Sequence, residues 1–212
     1  MSSVWDERAE AYRVSNEHRE GPDLDLLVEW ASGARTALDV ATGGGHVARR
    51  LREAGLEVVS SDAAPGMAPD VVCRAEDLPF AEASFDVAVS RLGAHHFEDV
   101  RAAVSEMARV ASERVLVVDN VYAGEAWEAA DRIRDPSHVR KLDEAEWRQV
   151  FEEAGLRVTD VRRPHRALHV PTWLERTGCV GADAARVRSL VADRIDGDTI
   201  QIERIALRGD KA

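Results

Sequence analysis

Residues 38–51 read LDVATGGGHVARRL. An apolar run containing one acid meets three consecutive glycines, and then the hydrophobic period changes. "TALDV" has the composition of a short buried strand. "HVARRLREAG" places Val47, Leu51 and Ala54 on one helical side and stops at Gly55. Glycine in quantity is entropically costly. Three of them at a strand-to-helix junction therefore imply a close approach to the backbone. In open α/β sheets, ligands bind outside the carboxyl ends of strands, where a helix N-terminus and bare amides face them. The literal spacing is Gly43-x-Gly45-x-x-Ala48. It satisfies a relaxed dinucleotide fingerprint, and a tight turn without a ligand would satisfy it equally.

The next strand sharpens the reading. "LEVVSSD" ends in Asp62, 19 residues after Gly43. A carboxylate at that point can accept hydrogen bonds from both hydroxyls of a ribose. Asp62 alone could be a turn or cap residue. With the glycines it points to a nucleoside-containing cofactor. Neither Tyr12 nor Tyr122 is followed four residues on by lysine, as short-chain dehydrogenase chemistry would need, and no Gly-Lys-Ser/Thr grips a phosphate.

Outward from this point, helical and strand periods alternate. "DLDLLVEWA" is a helix, "VVCR" a very short strand, "FDVAVSR" a strand, "VRAAVSEMARVA" a helix and "RVLVVDNV" a strand. "AWEAADRIR" is helical. "DEAEWRQVFEEAG" carries a capping box of Asp143 and Glu146, a stripe of Trp147, Val150, Phe151 and Ala154, and a stop at Gly155. "LRVTDVRR" and "TIQIERIALRG" read as late strands with the helix "ADAARVRSLVADRI" between them. Such alternation implies an α/β protein with parallel strands joined by helical crossovers.

Of 212 residues, 45% are hydrophobic and 32% charged, which fits a globular domain. The net charge of −11 disfavours nucleic acid as a partner. No apolar run is long enough to span a membrane. "MSSVWDERAEAYR" lacks the apolar core of a signal peptide, so the expected location is cytoplasmic. Cys73 and Cys179 match no ligand spacing and are expected as reduced thiols.

"LDVATGGGHVA", "VVSSDAAPGM", "AEDLPFAEASFDVAVSR" and "HHF" follow one another in order and spacing. Together they resemble the class I S-adenosylmethionine-dependent methyltransferases of the ubiquinone/menaquinone-biosynthesis type. The resemblance covers most of residues 5–160 and is loose beyond 165. It implies a Rossmann-like, seven-stranded, mostly parallel sheet flanked by helices, with "TIQIERIALRG" antiparallel as the last strand. It implies one methyltransferase domain over 1–212, with an N-terminal helical lid segment (1–35), a cofactor-binding core (36–122) and a C-terminal half shaping the acceptor site (123–212).

The implied cofactor is S-adenosylmethionine, leaving as S-adenosylhomocysteine, with no metal. By the resemblance, Asp39 organises the glycine loop, and Ala41, Thr42, Gly43 and Gly45 belong to the stretch lining the methionine portion. Asp62 takes the ribose hydroxyls, with Ala63 and Met67 beside the adenine. Ala75 and Glu76 meet the adenine edge, and Ser90 approaches the amino group. Tyr12 and His18 lie in a segment that closes over the methionine end in relatives. Two departures stand out. Ala41 replaces the first glycine of the usual Gly-x-Gly-x-Gly. Arg74 stands where an acidic or amide residue often meets the adenine amine, so either Glu76 or Asp77 substitutes or the contact is missing. The span from Asp62 to Arg74 is also too short for a full helix.

A sulfonium methyl is already electrophilic, so the protein's task is chiefly alignment. A general base helps where the acceptor must lose a proton. His95 and His96 follow the fourth strand at the rim where a small-molecule acceptor would lie, and either could be that base near its ordinary pKa of about 6.5. They could equally pack or cap the following helix. His138, His165 and His169 are expected as surface or partly satisfied structural residues. The basic run Arg132, Arg134, His138, Arg140 could meet an acidic acceptor or form a solvated helix end. Trp127 and Trp173 could contact an aromatic acceptor, while Trp147 falls in a core stripe. Two functions are consistent with these residues: methyl transfer to a small molecule, or a cofactor-binding partner subunit without transfer activity.

Overall fold

The computed structural model describes residues 9, 10, 13 and 16–211. The chain runs α1 (Asn16–Arg19), α2 (Pro22–Trp30), β1 (Thr36–Val40), α3 (His46–Glu53), β2 (Glu57–Asp62), β3 (Val71–Val72), β4 (Phe85–Arg91), α4 (Val100–Val110), β5 (Ala111–Asn120), α5 (Glu125–Arg134), α6 (Glu144–Glu153), β6 (Leu156–Arg162), β7 (His165–His169), α7 (Val170–Glu175), α8 (Gly181–Leu190), β8 (Ile195–Asp196) and β9 (Thr199–Lys211). Strand order in the main sheet is β3-β2-β1-β4-β5-β9-β6. The first five strands are mutually parallel, and β9 runs antiparallel between β5 and β6. This is the Rossmann-like arrangement that the resemblance implies. The sequence reading lacked β7 and β8, which pair with the first half of the long β9.

Strand alternation sorts the core into two layers. Leu38, Val40, Ala88, Val115 and Val117 face one way and pack against Val104 and Met107 of α4 and Trp147 and Phe151 of α6. Ala37, Val87, Val89, Leu116 and Val118 face the other way, against Leu24, Leu27 and Trp30 of α2 and Val47 and Leu51 of α3. Both faces are covered, which is why these strands read as near-continuous apolar runs. The Asp143–Glu146 capping box forms as expected and starts α6. A third cluster joins Trp127, Trp173, Val187, Ile200 and Ile202 under α5, α7 and α8.

That third cluster corrects the expectation for Trp127 and Trp173. Both are buried, with ring centroids 6.2 Å apart, and neither lines the large cavity. The basic run is corrected too. Arg134 and His138 are buried rather than solvated. His138 Nε2 lies 2.9 Å from Glu128 Oε2, and Arg134 stacks 4.7 Å from the Trp173 ring centre. Lys141 Nζ sits 2.5 Å from Asp131 Oδ2 and 3.5 Å from Glu128 Oε1. Glu128, Asp131 and His138 converge closely enough to hold a cation, and the ammonium already supplies positive charge there.

Candidate cofactor and acceptor site

Strand order reverses between β1 and β4, and the crevice at such a switch point is where open sheets bind ligands. A cavity of about 270 Å³ opens there. Its floor is the turn after β1. Asp39 closes that strand, fully buried, and its Oδ2 accepts from Thr42 Oγ1 at 2.5 Å and from the Ala48 amide at 3.0 Å. Burial raises its pKa to about 7 against those two hydrogen bonds. Asp39 therefore ties the loop to the start of α3 from beneath.

Asp62 ends β2 on the neighbouring wall. Its Oδ2 accepts from the Gly43 amide at 2.9 Å and its Oδ1 from the Ala64 amide at 2.9 Å. The carboxylate thus fixes the glycine loop and the following turn together. Gly43 has φ +52°, and a β-carbon built there meets nothing within 4 Å. The bare backbone fronts open space. Between β2 and β3 stands one short 3-10 turn, Pro65–Met67, in place of a helix. Beyond it Arg74 pairs with Glu98 at 2.9 Å and Glu76 at 3.4 Å. Glu76 Oε1 also accepts from the Glu98 amide at 2.9 Å.

The opposite wall comes from the end of β4. Arg91 is buried, with Nε 2.6 Å from Asp23 Oδ2 and Nη1 donating to the His18 carbonyl at 2.9 Å. Arg204 of β9 shares the same Asp23 oxygen at 2.9 Å. Burial pushes Asp23 upward, yet Arg204 and Arg91 hold its carboxyl below the usual range. Burial also lowers Arg204 to about 10. Burial, with Arg176, Arg91 and Arg204 nearby, keeps His18 well below its ordinary value, so this imidazole is neutral.

His95 and His96 form a 3-10 turn after β4, with ring centroids 4.0 Å apart. Their environments differ. His95 does not line the cavity; its Nδ1 lies 2.5 Å from Asp119 Oδ1, and its amide donates to Asp119 Oδ2 at 2.7 Å. Burial works to raise Asp119, but His95 holds that carboxyl low. His96 does line the cavity, and its Nδ1 lies 3.1 Å from the Ser137 carbonyl oxygen. Burial, then the neighbouring His95, lowers His96 to about 3. For His96, the expected pKa near 6.5 is thereby corrected.

Of the residues singled out in the sequence, His18, Ala41, Thr42, Gly43, Asp62, Ala63, Met67, Ala75, Glu76 and His96 line the cavity. Asp39, Gly45, Asp77, Ser90 and His95 do not. Asp39 and Ser90 lie buried, and Gly45 caps α3. Tyr12 lies outside the described residues. The sequence reading missed His46, Cys73, Arg91, Leu92, Gly93 and Phe97 as lining groups. Arg91 carried a usable signal: a cation ending an otherwise apolar strand demands a buried partner.

Comparison with known proteins agrees with this geometry. The family model described as a methyltransferase domain matches residues 38–118. The uncharacterized methyltransferase YcgJ of Bacillus subtilis is 33% identical over 199 residues, covering 82% of this chain and 78% of its own. The crystal structure of YcgJ superposes with a TM-score of 0.81 at 27% identity, covering 89% of this chain and 97% of that one. Geranyl diphosphate C-methyltransferase from Streptomyces coelicolor, solved with S-adenosylhomocysteine, shares the fold at a TM-score of 0.65 and 15% identity, over 89% of this chain and 76% of its own. Sheet order, switch-point cavity, glycine loop and relatives converge: the chain belongs to the class I S-adenosylmethionine-dependent methyltransferases.

Proposed function

We propose that this methyltransferase acts on a small molecule that offers an O–H to His96. Bound S-adenosylmethionine supplies a methyl group on a sulfonium, already electrophilic. The residues present fit that cofactor. Gly43 leaves room against bare backbone, where a side chain would intrude. Asp62 stands in the cavity wall beside that backbone, and a carboxylate accepts hydrogen bonds, which is what a ribose diol offers.

The observation that carries the acceptor reading is His96 in the cavity wall with Nδ1 against a carbonyl oxygen. A carbonyl only accepts, so Nδ1 donates and Nε2 keeps the lone pair. A base whose conjugate acid titrates near 3 is weak. It can still take a proton from an oxygen that becomes strongly acidic as its new bond to carbon forms. It cannot take one from an alkylammonium product. Oxygen acceptors are favoured over amines on this ground.

The test pairs calorimetric titration of S-adenosylhomocysteine with a screen of phenols, enols and amines using methyl-labelled cofactor. Tight binding with label on phenols or enols is expected. His96→Ala should lower turnover by about 10²–10⁴-fold with cofactor affinity nearly unchanged. Label transferred to amines alone, or turnover surviving in His96→Ala, would reject the reading.

A further inference from the structure

We infer that Asp135 and Ser137, in the loop after α5, are positioning residues that lock His96 in its Nδ1–H tautomer. The inference rests on the reading of His96 as the group facing the acceptor, and its primary readout is independent of turnover.

Asp135 caps the C-terminus of α5 in extended geometry and precedes Pro136, which disfavours helical geometry in the residue before it. It is buried, and its Oδ1 accepts from the Ser137 amide at 3.1 Å, an Asx turn. The same oxygen accepts from Ser137 Oγ at 2.5 Å. The hydroxyl hydrogen is therefore committed to Asp135. What Ser137 offers His96 is acceptors only: its carbonyl oxygen at 3.1 Å from Nδ1 and its Oγ at 3.3 Å. Two acceptors on one ring nitrogen place the proton there, and the other nitrogen keeps its lone pair. A serine free to rotate its hydroxyl could donate to Nδ1 and reverse the tautomer. Asp135 prevents that.

The same loop also holds the backbone of the histidine turn. The amides of Val139 and Arg140 donate to the His95 carbonyl at 2.9 and 3.2 Å. Residues 135–140, in sequence only a basic run 39 or more positions beyond His96, thus wrap the turn that carries it.

The experiment is a long-range proton–nitrogen correlation of ¹⁵N-labelled full-length protein at neutral pH, with S-adenosylhomocysteine bound. Wild type should show His96 with Nδ1 protonated and Nε2 unprotonated. Asp135→Ala should shift the tautomer ratio toward Nε2–H by about tenfold or more, the effect of losing a hydrogen bond to a charged acceptor. Asp135→Asn, which keeps an acceptor oxygen, should restore most of it. If Asp135→Ala does not fold, Ser137→Ala gives the same reading, since it removes the hydroxyl and leaves the Asx turn, and a smaller shift in the same direction is expected. A wild-type His96 carrying its proton on Nε2 overturns the inference. So does an unchanged ratio in folded variants that merely melt lower. Should the tautomer respond as stated while His96→Ala keeps full turnover, the positioning stands and the reading of His96 as base falls.

Discussion

A β-carbon added at Gly93 would lie 2.9 Å from the β-carbon of Ala41. These residues follow β1 and β4, the two strands that flank the point where sheet order reverses, and both line the cavity. Ala41 also holds φ +56°, a conformation glycine adopts without strain. The alanine that replaces the usual first glycine of the loop is thus accommodated by the absence of a side chain at residue 93.

The pair should behave as one unit. Gly93→Ala forces β-carbons together and should destabilise by about 1–3 kcal/mol, the usual scale of overpacking. In an Ala41→Gly background most of that loss should vanish. A double-mutant cycle by urea denaturation measures the coupling. Additive effects would mean that the turn absorbs the methyl elsewhere.

Asp62→Ala removes the acceptors of the Gly43 and Ala64 amides and, on the proposed fit of the cofactor, of its ribose. S-adenosylhomocysteine affinity should fall by about 1.5–3 kcal/mol, the range for hydrogen bonds to a charged group. Calorimetry decides. A loss of a few tenths would reduce the carboxylate to a turn cap.

Asp23→Asn should be among the most damaging single changes. It leaves Arg91 and Arg204 buried without a counter-charge, a situation that costs about 3–5 kcal/mol. The wild-type pH profile carries the same signature. The two arginines hold Asp23 below its ordinary 3.8, so its contribution is complete above that value and is lost as pH falls through the lower folded-state pKa. Denaturant midpoints on the acid side should show a steeper fall for wild type than for the variant.

His96 predicts a second pH window. Its folded-state pKa is lowered from 6.5 to about 3, so between those values the unfolded chain binds the extra proton. Stability should therefore decline as pH drops from about 6.5, with His18 adding in the same direction. His96→Gln should flatten its share of that slope in equilibrium unfolding series. Turnover should keep no limb centred on the ordinary histidine value.

Lys141→Met tests the buried charge group under α5. Glu128 and Asp131 would lose the ammonium lying 3.5 and 2.5 Å away, and stability should drop by about 3–5 kcal/mol. Thermal and urea unfolding report it. A neutral outcome would show that His138 and Arg134 suffice.

The local signals were legible because each is written in consecutive residues. The short, largely apolar run of "FDVAVSR" and the stripe of "DEAEWRQVFEEAG" gave β4 and α6 directly, since burial on both faces of a strand or one face of a helix dictates side-chain type along the chain. The three glycines and Asp62 were legible for the same reason: a turn and a strand end announce themselves by composition. β7 and β8 were not. Their short, half-exposed strands are stabilised by pairing with β9, and that pairing joins Leu168 to Ile200 across the intervening helices.

What tertiary structure alone decided is which of two adjacent histidines faces the cavity. His95 and His96 are equivalent as letters, and the sequence left both as candidates. Asp119 at the end of β5 holds the ring of His95, while Ser137, beyond α5, receives that of His96. Both partners come from distant segments that the parallel sheet brings to one edge. A sequence read outward from the glycines fixes the strands and the loop, because those depend on neighbours along the chain. The protonation and orientation of a side chain depend on neighbours in space, and only the folded sheet supplies them.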